Sequence, residues 1–291
     1  MLPIVSRVSA SLLSALLLAF VFISSADAQD RSSLLPRVSP NASISQTVGV
    51  TTVEIAYGRP AMRGRTIFGD LVPYGEVWRT GANEATVVDF STPVRIGDKT
   101  LGAGRYALFT IPGKDEWTVI FNQTADQWGA YNYDESKDAL RVTTEATTGP
   151  EHEMLTFAFT EVTDTSATLL IQWANAQVPV EMSVDTPAIL AAKGDEATAS
   201  ADNWQVPLRF AGYALQNNMM LDKAMSWTNA SLEMEETFPG LSVQAQIHAA
   251  QGNYEEAVAA GEKAMEMADA MSDMPRGAEQ LQTNLNEWRS K

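Results

Sequence analysis

The strongest constraint on the fold is a change in hydrophobic periodicity near Asp185. Before that residue apolar and polar side chains alternate, as at Val53, Ile55 and Tyr57, which is the period of a half-buried strand. Beyond Asn203 the period is 3.6 residues, which is typical of amphipathic helices. The chain is therefore predicted to be a multi-domain α+β protein. An antiparallel β-sandwich or open barrel is followed by an α-helical, tetratricopeptide-like tail.

This change divides the chain into four expected segments. They are a signal peptide at 1–28, a β-sandwich domain at 29–185, a short helix and linker at 186–202, and a helical region at 203–291. Residues 29–46 are expected to form an extended lead-in, and the last two strands are placed at 167–173 and 178–184. Gly194 is expected to end the short helix.

The first residues have the composition of an export signal. Arg7 supplies a positive charge, residues 12–23 are apolar, and Ala26-Asp27-Ala28 is a small-x-small cleavage site. We expect cleavage after Ala28 and an exported protein, periplasmic or secreted, with no membrane span after signal cleavage. A retained N-terminal anchor is the alternative.

The charge and the cysteine content exclude several classes of function. The formal net charge is −16, which argues against binding to nucleic acid or to anionic lipid. There is no cysteine, so disulfides, thiol nucleophiles and thiolate metal sites are excluded. With two histidines and no glycine-rich nucleotide motif, neither a metal site nor a cofactor is expected.

One polar stretch concentrates the side chains that could act on a substrate. Arg79 could bind a carboxylate or phosphate, Asn83 could hold an oxyanion, and Glu84 could be a general acid or base. These three are the catalytic candidates. The alternative is structural: Arg79 and Glu84 form a buried ion pair, and Asn83 occupies a left-handed turn.

Two loops supply candidate ligand-binding residues. The first, the arginine loop with Arg59, Arg63 and Arg65, could attract an anion, and the second is rich in aromatic side chains that could stack on a sugar or peptide. The candidates are Arg59 and Arg63 from the first loop, Trp128, Tyr131 and Tyr133 from the second, and Trp78 from the polar stretch. The alternative for each loop is structural, with solvated arginines in one and an aromatic lid on the sandwich in the other.

The helical region contains an internal repeat. The stretch that begins at Leu221 aligns with the stretch that begins at Tyr254, at an offset of 33 residues. The second copy, with Gly252, Ala257 and Ala264, resembles the tetratricopeptide repeat. Two such repeats rarely stand alone, because stacking units need about three, so the helical tail is expected to lean on the β-domain or on a partner. A protein partner of the tail belongs to the leading hypothesis.

Four motifs carry a resemblance to a known family. They are Tyr57-Gly58-Arg59-Pro60, the stretch from Trp78 to Thr86, the stretch from Gly104 to Gly113, and the stretch from Trp117 to Asn122. Residues from about 46 to 185 resemble the bacterial domain of unknown function 2911. The resemblance implies an exported β-rich domain, and it assigns no activity and no catalytic residue.

Three kinds of function remain open from the sequence. The first is a non-enzymatic envelope module that binds a small polar ligand or a peptide through its β-domain. The second is a hydrolase acting on a sugar or ester, with Glu84 as acid/base and Arg79 as anion clamp. The third is a purely structural domain. Whether the chain is an enzyme is therefore undecided at this stage.

Overall fold

The computed structural model describes residues 34–291, so the predicted signal peptide lies outside the described range. Within that range none of the helices has the length and the apolar content needed to cross a membrane. The residues from Pro36 to Lys291 pack as one unit.

In this part of the chain ten strands form two antiparallel sheets. They are β1 (Asn41–Val48), β2 (Thr51–Gly58), β3 (Thr86–Phe90), β4 (Val94–Ile96), β5 (Lys99–Leu101), β6 (Gly104–Ile111), β7 (Glu116–Asn122), β8 (Asp138–Glu145), β9 (Thr147–Thr160) and β10 (Ser166–Ser183). The larger sheet has the order β1-β2-β3-β6-β7-β8, and the smaller has the order β5-β4-β10-β9. The prediction of an α+β protein with an antiparallel β-region is confirmed, and neither sheet closes into a barrel.

The two sheets share one apolar core. Ile55 of β2 and Ile171 of β10 are buried in it from opposite sheets. At one end the core is aromatic: Trp78 stacks on Trp173, with ring centroids 5.7 Å apart and an interplanar angle of 18°. Phe68 meets Trp78 edge-on at 6.0 Å. These large rings close the end of the sandwich that carries the long loops.

The lead-in contains a strand that the periodicity did not predict. All eight residues of β1 pair with β2, from Asn41 opposite Gly58 to Val48 opposite Thr51. Val48 is the one residue of β1 that is buried. Ala42 and Ile44 are partly buried and pack against the same core, so one face of this edge strand adds side-chain contacts to its backbone hydrogen bonds. The apolar alternation is short, because Gln46 interrupts it.

The last two predicted strands are one strand of 18 residues, β10. Trp173 and Val178 both face the core, although five positions separate them and a regular strand would place them on opposite faces. The inward face changes around Ala174, whose φ is 50°, and the pairing shifts on both sides of it, with two residues along β10 corresponding to four along β9. The prediction of a break was wrong because the strand continues through this left-handed residue.

Six helices follow within the described residues. They are α1 (Thr186–Ala199), α2 (Gln205–Gln216), α3 (Leu221–Met234), α4 (Phe238–Ala250), α5 (Tyr254–Asp269) and α6 (Ala278–Trp288). The start of α4 lies 238 − 205 = 33 residues after that of α2, and the start of α5 lies 254 − 221 = 33 residues after that of α3. Each helix packs on the next, and α2 also packs on α4.

Gly194 does not end α1, which continues to Ala199, so the predicted start of the linker was wrong. A Cβ atom at Gly194 would lie 2.4 Å from Cζ2 of Trp227 on α3. The indole Nε1 of Trp227 donates to Oδ1 of Asp195 at 3.0 Å. Glycine is needed here for the close approach of two helices, and its backbone stays helical.

We expect Gly194→Val to lower the free energy of unfolding by about 1–3 kcal/mol, because the added methyl groups overlap the ring of Trp227. The matched control is Gly212→Ala on α2, where a Cβ atom would meet nothing within 4 Å. That change should raise stability by about 0.5–1 kcal/mol through helix propensity. Urea denaturation measures both. Equal stability of Gly194→Val and the parent protein would contradict the packing of α1 on α3.

Candidate ligand site around Arg79 and Glu84

The segment before β3 presents successive side chains to opposite faces of the larger sheet. Trp78 pairs with Thr110 of β6 through two backbone hydrogen bonds of 2.8 and 2.9 Å. In an extended segment neighbouring side chains alternate, so Trp78 enters the core and Arg79 lies on the outer face. Thr80 and Asn83 then take left-handed conformations with φ of 50° and 63°. The predicted left-handed turn at Asn83 is confirmed.

The aromatic loop between β7 and β8 folds back over this outer face. Its backbone pairs with the polar stretch: the amide of Ala85 donates to the carbonyl of Gln127, and that of Gly129 to the carbonyl of Asn83, each at 3.0 Å. Trp128 therefore lies directly opposite Glu84 in an isolated β-bridge. Two stretches that are more than forty residues apart form one local surface.

Glu84 is buried against an arginine that the sequence analysis did not single out. Glu84 is 4% exposed, and Nη1 of Arg37 lies 2.8 Å from its Oε1 and 2.7 Å from its Oε2. Among the described ion pairs none joins Arg79 to Glu84. The predicted Arg79–Glu84 pair is wrong, because the lead-in brings another cation onto the carboxylate. Both carboxylate oxygens of the proposed acid/base are occupied.

The lead-in is held over the site by further hydrogen bonds, which define a strap at residues 37–40. Asn83 Nδ2 donates to the carbonyl of Ser39 at 3.2 Å, so the amide proposed for an oxyanion binds the strap. Arg63 Nη2 donates to the carbonyl of Val38 at 3.2 Å. The amide of Arg59 donates to the carbonyl of Pro40 at 2.8 Å. The strap therefore ties the arginine loop to the turn that carries Glu84.

Arg79 is half-buried and has no protein counter-ion among residues 34–291. Its Nε is buried and has no hydrogen-bond partner within that range. Burial lowers the pKa of Arg79 from its ordinary value, and a charge interaction with Tyr131 acts in the opposite direction. An arginine keeps its charge at neutral pH. The site therefore holds a partly desolvated cation that this part of the protein does not neutralise.

One exposed aromatic side chain lies beside this cation, and a second lies on the same loop. Tyr131 is 83% exposed and Trp128 is 56% exposed. A Cβ atom on Gly129 would lie 2.8 Å from Cε2 of Tyr131 and 3.7 Å from Nη1 of Arg79, so the ring and the guanidinium are neighbours. Gly129 has a φ of 67° and carries no side chain that would separate them. The structure thus brings Arg79 and Tyr131 together, and Trp128 precedes Gly129 on the same loop.

The other ligand-binding candidates have structural contacts. Arg59 donates from Nε to the carbonyl of Leu155 and from Nη2 to Oγ1 of Thr156, each at 3.1 Å. Arg63 holds the strap, as described above. Trp78 is 9% exposed, and its ring belongs to the core.

Tyr133 belongs to a polar network under the aromatic loop. Its hydroxyl donates to Oδ2 of Asp138 at 2.6 Å and accepts from Nη2 of Arg141 at 3.1 Å. Burial and the hydrogen bond to Asp138 raise the pKa of Tyr133 to about 12. The ring packs edge-on against Phe109 at 5.1 Å. Tyr133 therefore anchors the loop that presents Tyr131.

No cluster of at least three His, Asp or Glu side chains suited to a metal ion occurs between residues 34 and 291. The acidic residues of the aromatic loop are engaged with protein donors. Oδ1 of Asp138 accepts from Asn122 at 2.7 Å, and Oδ1 of Asp134 accepts from the amide of Ser136 at 2.9 Å. Their carboxylates cap and brace the loop.

Residues 39–182 match the model of the family described as protein of unknown function (DUF2911). The match supports DUF2911 membership for this region. It begins seven residues before the predicted limit of about 46, and so takes in all of the unpredicted strand β1. None of the curated proteins matches the chain. Arg79, Trp128 and Tyr131 lie within the matched region, and so do residues 39 and 40 of the strap.

Arg37 is the functional-site residue that sequence reasoning missed. The available signal was weak: one arginine between Leu35 and Val38, in a segment with the composition of a linker. Nothing in the local sequence relates it to Glu84, 47 positions away. The pairing depends on β1, which brings the lead-in back across the sheet.

In the DUF2911 region we expect Glu84→Gln to lower the free energy of unfolding by about 1–3 kcal/mol, because it removes the charge that neutralises Arg37. The control is Glu262→Gln, which breaks the exposed pair with Arg289, where both side chains are about half exposed. That change should cost less than about 0.5 kcal/mol. Denaturant unfolding of the two variants gives the comparison. Equal losses would mean that the contact with Arg37 contributes nothing beyond a surface pair.

The raised pKa of Tyr133 makes stability depend on pH in the alkaline range. The folded state favours the protonated phenol, so this contribution is complete below pH 10 and is lost as pH rises towards about 12. Tyr133→Phe should abolish that loss between pH 10 and 12, measured as unfolding free energy against pH. Tyr131→Phe, at an exposed position of the same loop, is the control and should retain it. The same pH dependence in parent and Tyr133→Phe proteins would exclude the proposed origin.

Proposed function

We propose that the chain is an exported envelope protein, periplasmic or secreted, that binds a small anionic ligand through its DUF2911 region. The observation that carries the proposal is the half-buried Arg79, which has no counter-ion among the described residues and lies beside Tyr131. Export is supported by the signal pattern that ends at Ala28. Binding is favoured over catalysis because both oxygens of Glu84 contact Arg37.

The physical reason for an anion is the cost of leaving a desolvated cation without a partner. A guanidinium can donate two parallel hydrogen bonds to a carboxylate or phosphate, and these are stronger in a partly dehydrated site. The net charge of −16 repels anions at long range, so the attraction is confined to contact distance. Selectivity then depends on the groups beside Arg79.

Those groups favour a ligand with a ring. The exposed faces of Trp128 and Tyr131 are suited to stacking on a sugar, and they lie on a loop braced by the network around Tyr133. An acidic sugar would offer a carboxylate to Arg79 and a ring face to the aromatic side chains. We therefore place acidic carbohydrate first among ligand classes.

The test is calorimetric titration with D-glucuronate, with D-glucose and acetate as probes that lack the charge or the ring. We expect glucuronate to bind most tightly, and Arg79→Gln to weaken it at least tenfold, about 1.4 kcal/mol. Arg79→Lys should recover part of the affinity, since it keeps the charge and loses the fork. Arg209→Gln, at an exposed position of α2, is the charge-matched control.

The same variants separate a binding role from a structural one. Because Arg79 lacks a protein counter-ion in the described range, Arg79→Gln should leave the midpoint of thermal unfolding unchanged or raise it. A large loss of stability in Arg79→Gln would mean that the residue holds the fold. Equal binding of glucuronate by parent and Arg79→Gln proteins, or no binding by either, would contradict the proposed site.

The helical region forms the second part of the proposal, as a tetratricopeptide-like array that engages a protein partner. The 33-residue spacing of α2 with α4 and of α3 with α5 supports this assignment, since stacked helix pairs form extended surfaces. A groove of about 450 Å³ lies between α2, α4 and α6. It is uncharged, and the amides of Gln216, Gln246 and Asn284 suit the backbone of an extended segment of the partner.

Gln216→Arg introduces a charge into this groove at an exposed position, and Ser226→Arg adds the same charge on the exposed surface of α3. An envelope protein that copurifies with the parent chain should be lost with Gln216→Arg and retained with Ser226→Arg. A partner retained by both variants would place the contact elsewhere on the protein.

A further inference from the structure

A second cleft, separate from the Arg79 cluster, opens between the two sheets and has a volume of about 580 Å³. Phe68 and Trp117 line its apolar side, with ring centroids 4.8 Å apart. Tyr74, which is 42% exposed, contributes a third ring to the lining. The volume falls within the roughly 300–1,000 Å³ that is usual for sites of small organic ligands.

Charged side chains of both signs line this cleft. Arg65 comes from the arginine loop and Lys114 from the turn between β6 and β7, whereas Glu151 and Glu153 project from β9. Among the described ion pairs none involves any of these four residues. Cations and anions that share a cleft and do not neutralise each other remain available to a ligand that carries both charges.

Two of these charged groups are held in place by the backbone. Arg65 donates from Nη2 to the carbonyl of Ala61 at 2.7 Å and from Nε to that of Met62 at 2.8 Å. Oε1 of Glu153 accepts from the amide of Arg63 at 2.9 Å. Fixed side chains lose little conformational entropy when a ligand binds. One cation and one carboxylate of the cleft, Arg65 and Glu153, are therefore preorganised.

The backbone at the cleft is strained. Ala174 has a φ of 50°, which an L-residue with a Cβ atom rarely adopts, and it lies opposite His152 of β9, between the two register shifts of this strand pair. Residues 174–176 line the cleft together with Glu151 and Glu153, which flank His152. Strained backbone persists where the surrounding structure holds it, and such positions cluster at ligand sites.

From these observations we infer that the cleft binds a short zwitterionic peptide. The peptide carboxylate contacts the cations of the lining, Arg65 and Lys114, its ammonium group contacts Glu151 and Glu153, and an apolar central side chain contacts Phe68 and Tyr74. Binding therefore requires both terminal charges, and the rings supply apolar contact without selecting one side chain. This site is independent of the anion site at Arg79.

The first test compares two peptides on the unaltered protein by calorimetric titration. The probes are the tripeptide Ala-Phe-Ala with free termini and the same tripeptide acetylated at its N-terminus and amidated at its C-terminus. They share one shape and differ in the two terminal charges. We expect the free peptide to bind and capping to weaken it at least tenfold. No binding of the free peptide, or equal binding of the capped one, would overturn the inference.

The second test changes the two charges that do not hold the backbone. The double variant Lys114→Gln with Glu151→Gln should weaken the free peptide at least tenfold and should leave the capped peptide unaffected. The control is Lys99→Gln with Glu181→Gln, which removes the same charges at exposed positions of β5 and β10 outside the cleft. Undiminished binding by the cleft variant would refute the site. Arg79→Gln should bind the peptide normally, and a loss there would place the peptide at the anion site instead.

Discussion

The stacking of Trp78 on Trp173 determines where both candidate sites lie. The indole of Trp78 is buried at the end of the sandwich, and its backbone pairs with Thr110 of β6. Alternation along the segment then directs Arg79 to the outer face, where the aromatic loop meets it. On the inner side Phe68 packs against both Trp78 and Trp117, and Phe68 and Trp117 line the cleft. One aromatic anchor thus positions a cation on one face and the rings of the cleft on the other.

The ionisable groups of the described region follow two different physical regimes. Glu84 is sealed beneath Arg37, and this buried contact positions the strap more than it stabilises the fold, since desolvation offsets most of the attraction. Arg79 is half-buried and has no such partner among the described residues. The charged side chains of the second cleft, which are Arg65, Lys114, Glu151 and Glu153, are exposed and form none of the described ion pairs. In a chain of net charge −16, acidic side chains are abundant. A half-buried cation that pairs with none of them among the described residues is therefore a better indication of a ligand site than a paired cation.

Sequence reasoning succeeded where a single local pattern carried the information. Period-two alternation identified most strands, and the 33-residue repeat matches the spacing of the helix starts. It failed where long-range packing decided the outcome. β1 is mostly polar, with an apolar face of Ala42, Ile44 and Val48, and it forms by pairing with β2. Gly194 continues a helix because Trp227 needs the space of its missing side chain. A mostly polar segment can also be a linker, and a glycine can also end a helix. The local sequence does not distinguish these outcomes.

The candidate site shows the same division. The stretch from Trp78 to Thr86 was identified from its composition, and the turn at Asn83 was correctly predicted from its tolerance of positive φ. The partner of Glu84 was not, because Arg37 reaches it only after the lead-in folds back as β1. Arg79 was a catalytic candidate and its neighbour Trp78 a ligand-binding candidate, although alternation places them on opposite faces of one sheet.

By itself the sequence determined the class of the fold, the change from strands to helices near Asp185, and the stretch that holds Arg79. These features depend on residue type and on short-range periodicity, both of which can be identified within a short stretch of sequence. Only the tertiary structure decided that Arg37 seals Glu84, that Arg79 keeps no partner among the described residues, and that opposite charges line a common cleft. Burial and pairing of charges depend on distances between residues far apart in the chain, and those distances exist only after the sheets have packed.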